Sequence, residues 1–226
     1  MIELEMVSWP PPGSAPRLRR NDLHLWKIPC GTGGIAACDL WPILSRRERD
    51  KATRLRAERQ RTRFVRAHAG LRLILAEYSD IAPREIAFSR GNAGKPGIAG
   101  GLEFNLTTSA DLALVAVCLG QPVGIDCEFI RPHSDLNAIA RRMFTTNHAE
   151  RVAAAPESDR LVIFTCAWTA LEASVKADGR GLFRSRKVPP MPELDITHCV
   201  PERGYIAAVA RADLPPVSEW TTLTLA

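Results

Sequence analysis

Two short stretches of the chain combine charged side chains at spacings that suit metal and phosphate chemistry. Asp126 and Glu128 are separated by one residue, so a β-strand would project both carboxylates from the same face. Trp168, Glu172 and Lys176 recur at four-residue steps, so a helix would align them along one side. Adjacent carboxylates repel one another, and a divalent cation that prefers hard oxygen ligands, Mg²⁺ or Mn²⁺, would offset that repulsion.

Both stretches also have a simpler interpretation. On an exposed strand face Asp126 and Glu128 would both be solvated, and the pair alone slightly favours that arrangement. On an exposed helix Glu172 and Lys176 would form an ordinary ion pair that contributes roughly 0.2–0.5 kcal/mol. A functional site is favoured because both stretches occur in the same chain.

The surrounding sequence predicts the elements that would hold these side chains. Residues 123–130 are expected to form a strand, and the helix that contains Trp168 is expected to end at the glycines at 179 and 181. A basic helix over 45–78, continuous or with one break, is predicted to begin with Ser45 and Glu48 as its capping box. The other predicted elements are strands at 22–28, 86–88, 102–106, 112–119, near 196 and at 205–209, a helix over 134–144 capped by Ser134, and a flexible link over 153–159.

The order of these elements predicts an α+β protein with two lobes, because a helix followed by strands occurs twice. An irregular lead-in over residues 1–22 precedes an N-terminal lobe over 23–119 and a C-terminal lobe over 120–226. Each lobe would be a helix packed on a small antiparallel sheet. Two lobes in one chain make a monomer the expected state.

Composition and cysteine usage indicate a soluble globular protein of a reducing compartment. Of its 226 residues 46% are hydrophobic and 24% are charged, which is ordinary for a globular domain. The six cysteines form no C-x-x-C pair, so buried free thiols are expected rather than disulfides or a zinc site. The sequence has no apolar run of membrane-spanning length and no signal-peptide core. We therefore expect a cytoplasmic protein without a membrane partner.

Positive charge is concentrated in one part of the chain. Residues 46–72 hold eleven Lys or Arg residues against three acidic residues, and the net charge of the whole chain is +5. Four arginines in this part follow 3-4-3 spacing, which would gather their guanidinium groups on one helix face: Arg56, Arg59, Arg63 and Arg66. Such a face predicts an anionic partner or is a solvated helix surface. Nucleic acid is not the expected partner, because interleaved aromatic residues and a recognisable binding motif are missing.

Two further stretches have polar groups that suit a phosphate. Gly94-Lys95-Pro96 lies in a glycine-rich segment over 91–101, where a turn with a solvated lysine is the simpler interpretation. A run of hydroxyl side chains over 105–111 is typical of a turn, and it equally suits donors to a phosphate.

Together these stretches resemble the Sfp-type 4′-phosphopantetheinyl transferases over roughly residues 40–210. The matching pieces, in chain order, are Leu44-Ser45, Gly94-Lys95-Pro96, Phe104-Asn105-Leu106-Thr107-Thr108-Ser109, Val123-Gly124-Ile125-Asp126-Cys127-Glu128, Trp168-Thr169-x-x-Glu172-Ala173-x-x-Lys176 and Gly179-x-Gly181-Leu182. Each piece is weak by itself, and their order and spacing make the resemblance specific.

The resemblance implies a pseudo-twofold α+β fold that binds coenzyme A in the cleft between its lobes. Such an enzyme transfers the 4′-phosphopantetheine arm of coenzyme A to a serine of an acyl or peptidyl carrier protein and releases 3′,5′-ADP. By position, Asp126, Glu128 and Glu172 would hold Mg²⁺, or Mn²⁺, together with the pyrophosphate of coenzyme A. Lys176 would neutralise the same diphosphate, and Glu172 or a metal-bound water would accept the serine proton.

The resemblance also implies contacts with the nucleotide and with the carrier protein. The residues expected on the nucleotide side are Lys95, Pro96, Thr107, Thr108, Ser109, Lys51 and Arg72, with Lys176 at the diphosphate. Carrier proteins are acidic, so the arginine face described above has a candidate partner.

Two positions depart from the family's pattern. The family usually has a histidine in place of Thr108, where it helps to bind the 3′-phosphate of coenzyme A, and a lysine in place of Leu171. Both replacements remove positive charge near bound anions. They motivate an alternative function, namely a coenzyme A- or carrier-binding protein of the same fold with weakened or lost catalysis.

Overall fold

Two four-stranded sheets, each flanked by a long helix, make up the frame of the protein. The computed structural model describes residues 4–91, 94–132, 135–179 and 193–225. The strands are β1 (Glu5–Met6), β2 (His24–Pro29), β3 (Ser89–Arg90), β4 (Pro96–Gly97), β5 (Leu102–Ser109), β6 (Leu112–Leu119), β7 (Gly124–Phe129), β8 (Asp195–Val200), β9 (Tyr205–Arg211) and β10 (Thr221–Thr224). The helices are α1 (Ala37–Leu40), α2 (Arg46–Arg54), α3 (Glu58–Ala76), α4 (Leu136–Met143), α5 (Thr146–Ala154) and α6 (Glu157–Asp178), with short 3₁₀ turns at Trp41–Ile43, Pro83–Glu85 and Val217–Glu219.

The two sheets are stacked between α3 and α6. One sheet has the strand order β10-β2-β6-β5 and the other β1-β8-β9-β7, while β3 and β4 form a separate ribbon. Pairing is antiparallel except in the outermost pairs, β10 with β2 and β1 with β8. Apolar residues of both sheets, such as Leu25, Leu114, Ile125 and Val209, form one shared core. The predicted two-lobed α+β class is confirmed.

The basic helix of the first lobe begins where the sequence predicts but is divided in two. The Ser45 hydroxyl accepts the Glu48 N–H at 3.3 Å, and the Glu48 carboxylate accepts the Ser45 N–H at 2.8 Å, which completes the capping box. Helix α2 ends at Arg54 and α3 begins at Glu58. Apolar residues of α3 pack on the sheet, where Leu71 joins the same cluster as Trp26.

Strand β5 is longer than predicted. The sequence predicts a strand that ends at 106 and a hydroxyl-rich turn, whereas the strand continues to Ser109 and the chain turns at Ala110, where φ is 46°. The hydroxyls of Thr107 and Ser109 have partners on β7, so they are satisfied within a strand. The strand predicted over 86–88 is also wrong, because these residues lie between the 3₁₀ turn at Pro83–Glu85 and β3, which begins at Ser89.

The helices of the second lobe differ from the prediction at their ends. Helix α4 begins at Leu136, and its cap is Asp135, whose carboxylate accepts the Ala138 N–H at 2.8 Å. Ser134, the predicted cap, lies outside the described residues, as do Gly181 and Leu182. The flexible link predicted over 153–159 is wrong, because α5 extends to Ala154 and α6 already begins at Glu157.

Both ends of the chain contribute a strand to the sheet of the other lobe. The lead-in predicted as irregular forms β1, which pairs with β8. Residues 221–224, predicted within the second lobe, form β10 beside β2 in the sheet of the first. Among the described residues, no helix combines the length and the apolar character that a membrane span requires.

Candidate active site

Strand β7 and helix α6 carry the acidic residues that the sequence analysis singled out. Asp126 and Glu128 alternate along β7 with Ile125 and Cys127, which point into the core between the sheets. Glu172 and Lys176 lie one turn apart on α6, as predicted. Helix α6 covers the face of β7 from which Asp126 projects, and Lys176 contacts that carboxylate.

Gly124 allows α6 to lie directly on β7. A Cβ atom at this position would overlap the carbonyl oxygen of Ala173 and the backbone nitrogen of Ala177. Alanines continue this contact, since Ala173 and Ala177 pack on Ala208 and Ala210 of β9. Small residues on both elements therefore bring the helix backbone, and with it Glu172 and Lys176, close to Asp126.

Asp126 is the most enclosed carboxylate of the site, at 4% exposure. Its Oδ1 accepts hydrogen bonds from Lys176 Nζ at 2.5 Å and from Thr107 Oγ1 at 3.1 Å. Its Oδ2 is buried and has no hydrogen-bond partner within the described part of the chain. Burial raises the pKa of Asp126, against the opposing charge of Lys176 and the hydrogen bonds from Lys176 and Thr107.

Glu128 and Glu172 lie within the electrostatic field of Asp126. Burial raises the pKa of Glu128; the hydrogen bond from Ser109 Oγ, 2.9 Å long, opposes the rise, and the charge of Asp126 adds to it. Burial likewise raises the pKa of Glu172, with Lys176 opposing and the two other carboxylates reinforcing the rise. The three carboxylates thus share one partly buried region with a single lysine.

The donor atoms of this region fit a hard divalent cation. Over the described residues, no group of three or more His, Cys, Asp and Glu side chains has the arrangement of a metal site as it stands. Carboxylate oxygens are nevertheless the ligands that Mg²⁺ and Mn²⁺ prefer, and the buried Oδ2 of Asp126 has no partner among the described residues. A second positive charge beside that of Lys176 would satisfy this atom.

The residues predicted on the nucleotide side do not lie together. Thr107 and Ser109 point toward β7 and bond Asp126 and Glu128, whereas Thr108 is exposed on the opposite face of β5. Thr108 lines a cavity of about 290 Å³ between β5 and α3, whose other lining residues include Gln60, Arg63, Phe64 and His68. Lys51 lies at the same wall, with its Nζ 5.0 Å from the centre of the Phe64 ring.

Lys95 lies at the end of α6 remote from Trp168. Its Nζ donates to the carbonyl oxygens of Val123 at 3.1 Å and Ala177 at 3.2 Å, and it lies 3.7 Å from a Glu103 carboxylate oxygen. Burial lowers its pKa, and Glu103 opposes that shift. Pro96 follows in β4, which pairs with β3. Lys95 thus ties the Gly-Lys-Pro segment to the C-terminal end of α6, where a positive charge is favourable.

Arg72 has a structural position. It is 2% exposed, and its guanidinium donates to Glu48 at 2.8 Å and to the carbonyl oxygens of Pro83 and Ile86 at 3.1 and 3.0 Å. These contacts join α3 to the capping box of α2 and to the segment that follows α3 in the chain. The predicted phosphate contact of Arg72 therefore has no support in the structure.

The predicted four-arginine face is likewise not a single free surface. Arg59 and Arg63 both bind Asp111 at 2.7 Å. Arg66 donates to three backbone carbonyl oxygens, those of Cys30, Gly34 and Ile35. Arg56 precedes the first residue of α3. The spacing of the arginines is helical, but the partners of three of them come from distant parts of the chain.

An aromatic cavity beside Glu128 was not predicted. It has a volume of about 240 Å³, and its lining includes Glu128, Phe129, Arg131, Ile139, Phe164 and Trp168. Trp168 is stacked on Phe164 with the ring centres 6.3 Å apart. The four-residue step from Phe164 to Trp168 is the sequence signal that could have indicated this wall of the cavity.

Fold and site together define a two-lobed α+β protein with a partly buried acidic centre beside Lys176. Comparison with known proteins gives the family, since residues 122–217 match the profile of the 4′-phosphopantetheinyl transferase superfamily. The 4′-phosphopantetheinyl transferase HetI of a Nostoc species is 32% identical over 222 residues, 91% of this chain and 94% of that protein. The chain belongs to the 4′-phosphopantetheinyl transferase superfamily, and the prediction of an enzyme of this type is confirmed.

Two other relatives match shorter parts of the chain. The 4′-phosphopantetheinyl transferase AcpT of Salmonella typhimurium is 38% identical over 92 residues, 39% of this chain and 47% of that protein. The 4′-phosphopantetheinyl transferase ffp of Bacillus subtilis is 26% identical over 145 residues, 63% of each chain. The resemblance inferred from sequence motifs is therefore confirmed.

Proposed function

We propose that this protein transfers the 4′-phosphopantetheine arm of coenzyme A to a serine of an acidic acyl or peptidyl carrier protein, in a Mg²⁺-dependent reaction that releases 3′,5′-ADP. The cluster of Asp126, Glu128, Glu172 and Lys176 on β7 and α6 carries the proposal. Membership of the family supports the transfer reaction itself.

Asp126, Glu128 and Glu172 are the residues that would hold the cation together with the diphosphate of coenzyme A. Bound there, Mg²⁺ or Mn²⁺ would neutralise the carboxylates and stabilise the charge that develops on the leaving group. The buried Oδ2 of Asp126, which has no partner in the part of the chain that the structure describes, supports this assignment. Lys176, whose ammonium lies against Asp126, would bind a diphosphate oxygen as a second positive charge.

Glu172 is the candidate base for the serine proton. Burial raises its pKa, and the charges of Asp126 and Glu128 add to the rise while Lys176 opposes it. This shift belongs to the protein without a cation, since a cation held by the carboxylates would favour their charged form. The serine oxygen then bonds to the phosphorus that carries pantetheine, and the bond from that phosphorus to the bridging oxygen breaks. The electron pair of that bond leaves with 3′,5′-ADP.

The nucleotide of coenzyme A would occupy the cavity beside Thr108. Lys51 at its edge would supply a positive charge to the 3′-phosphate, and Arg63 in its wall, whose Nε bonds Asp111 at 2.7 Å, would have its remaining guanidinium nitrogens to donate. Thr108 would donate one hydrogen bond from its hydroxyl. Ser109, the next residue, bonds Glu128, so this cavity and the acidic cluster lie on opposite faces of β5 at neighbouring positions of the strand.

The aromatic cavity beside Glu128 would receive the uncharged pantetheine arm. Its apolar lining from Phe164 and Trp168 suits an amide-linked chain, and Arg131 contributes positive charge at its wall. Arg141 and Arg142 are exposed on α4, the helix that lines the same cavity. These charges would attract an acidic carrier protein. We expect a monomeric enzyme in the cytoplasm, where its free cysteines would stay reduced.

Intact-mass spectrometry of apo carrier proteins incubated with this protein, coenzyme A and Mg²⁺ tests the proposal. Carriers of fatty-acid, polyketide and nonribosomal-peptide type are compared in parallel. We expect the mass of one carrier to rise by about 340 Da, the mass of the transferred arm. Asp126→Asn should abolish the addition, while Asp50→Asn, at an exposed position of α2, should leave it unchanged.

The alternative function gives a different result in the same experiment. Thr108 and Leu171, where the family usually has basic residues, motivate a protein that binds coenzyme A or a carrier without turnover. Binding of coenzyme A with no mass increase on any carrier would favour that alternative and contradict the proposed transfer.

A further inference from the structure

Side chains of β5 join the edges of the two sheets. Three of them accept hydrogen bonds from alternate backbone N–H groups of β7, namely Asn105 from Ile125 at 3.0 Å, Thr107 from Cys127 at 3.2 Å and Ser109 from Phe129 at 2.9 Å. The partners are 20 residues apart in each case, so the contacts repeat in step along both strands. We call these three side chains and their N–H partners the β5–β7 seam.

The two hydroxyls of the seam each make a second hydrogen bond. Thr107 Oγ1 donates to Asp126 at 3.1 Å, and Ser109 Oγ donates to Glu128 at 2.9 Å. Each hydroxyl therefore accepts from one backbone N–H of β7 and donates to the carboxylate of the residue immediately before it. A hydroxyl is suited to both tasks, since it has one donor and two acceptor lone pairs.

The residue types along the seam follow the neighbours on β7. Asn105, the remaining member, accepts the Ile125 N–H, and the preceding residue on β7 is Gly124, which has no side chain to receive a hydrogen bond. Hydroxyl residues occur at the two positions where a carboxylate needs a donor. Thr108, between them, faces the nucleotide cavity instead.

We infer that Thr107 and Ser109 are positioning residues that hold the carboxylates of Asp126 and Glu128 in the orientation the transfer requires, and that they do not contact the nucleotide. The inference rests on the proposed function of these carboxylates. Two neighbouring carboxylates repel one another, and one hydrogen-bond donor on each restrains its rotamer. Because the donors belong to the first lobe and the carboxylates to the second, the seam also fixes the position of the carboxylates relative to the nucleotide cavity.

Binding of Mn²⁺ to the protein without coenzyme A tests the inference, measured by the loss of the free-ion signal in electron paramagnetic resonance. We expect Ser109→Ala and Thr107→Val to weaken Mn²⁺ binding about tenfold, the lower end of the effect of removing a hydrogen-bond partner of a metal ligand. Ser109→Thr and Thr107→Ser keep the hydroxyl and should restore most of the affinity. This rescue separates positioning from a general loss of packing.

Two matched variants control for the loss of a hydroxyl elsewhere. Ser89→Ala removes an exposed hydroxyl that bonds Gly97 O at 3.1 Å, and Thr222→Val removes one that bonds Ser8 O at 2.8 Å. Both should bind Mn²⁺ as the wild type does. Coenzyme A binding without metal, measured by calorimetry, should be unchanged in Ser109→Ala.

The possible results distinguish this inference from the proposed function. The inference is overturned if Ser109→Ala and Thr107→Val bind Mn²⁺ as tightly as the wild type does. It is also overturned if these variants bind coenzyme A more weakly without metal while their Mn²⁺ affinity is unchanged. Both conclusions hold even if the wild type modifies a carrier. A wild type that binds no Mn²⁺ overturns it as well. Weakened Mn²⁺ binding that Ser109→Thr restores supports it, and a wild type that modifies no carrier would then contradict only the proposed transfer.

Discussion

Replacement of Gly124 by alanine would push α6 away from β7. The new Cβ would overlap two backbone atoms of α6, the oxygen of Ala173 and the nitrogen of Ala177. Neither atom can rotate away as a flexible side chain could. Ordinary contact between such atoms requires about 3.5 Å, so we expect the helix to retreat by roughly 1–1.5 Å.

The retreat should lower both stability and activity. Insertion of a methyl group into a packed interior destabilises a protein by about 1–3 kcal/mol, and the backbone overlap at Gly124 points to the upper end. For a chain of this length, a loss of about 3 kcal/mol corresponds to a Tm lower by roughly 6–12 °C. Glu172 and Lys176 move with α6 relative to Asp126, and a 1 Å displacement of reacting groups corresponds to about a 100-fold loss of rate.

Thermal unfolding followed by circular dichroism and the rate of carrier modification measure the two effects separately. Gly13→Ala is the matched control, because a Cβ there would meet no atom closer than the Pro11 oxygen at 4.0 Å. It should change stability by less than about 0.5 kcal/mol. The reasoning is refuted if Gly124→Ala unfolds within about 2 °C of the wild type, a shift that corresponds to less than 1 kcal/mol, and modifies the carrier at an unchanged rate.

Three further predictions concern the first lobe. Arg72→Ala should destabilise the protein by about 3–5 kcal/mol in urea unfolding, because it removes one partner of the buried ion pair with Glu48. A large change in the KM for coenzyme A, measured on the folded fraction, would instead indicate a phosphate contact. Burial lowers the pKa of His68 to about 4, so the free energy of unfolding should fall as the pH drops from about 6.5 toward 4, because the unfolded histidine takes up a proton in this range. His68→Gln should reduce the dependence of the free energy of unfolding on pH, and an equal dependence in both proteins argues against a buried neutral histidine. Thr108→His should lower the KM for coenzyme A about tenfold, because the histidine would donate a hydrogen bond to the charged 3′-phosphate. An equal decrease of the KM for dephospho-coenzyme A, which lacks the 3′-phosphate, would contradict the placement of that phosphate beside residue 108.

Local periodicity was enough to predict the core of the site. Asp126 and Glu128 share a strand face because side chains alternate along a strand, and Glu172 and Lys176 share a helix face because they are one turn apart. The capping box at Ser45 was equally legible, since both of its partners lie within one turn. In each case all the interacting groups belong to one short segment.

Contacts between distant segments could not be predicted from the same patterns. A run of hydroxyls is typical of a turn, whereas pairing with β6 makes residues 107 and 109 part of a strand, and the edge of β7 provides partners for their hydroxyls. The resemblance implies nucleotide contacts for Arg72 and Lys95, but Arg72 is buried against α2 and Lys95 bonds carbonyl groups at the end of α6. Their partners lie 24 and 82 residues away in the chain.

The sequence by itself determined which side chains share a face of β7 and which share a face of α6, since backbone geometry fixes the direction of each side chain within an element. Tertiary structure alone decided that these two faces meet, because their approach depends on the missing side chain of Gly124 and on the alanines of α6 and β9. Tertiary structure also buries the carboxylates and places Lys176 and the hydroxyls of Thr107 and Ser109 in contact with them. Burial raises the pKa of a carboxyl group only after distant segments have excluded water from it.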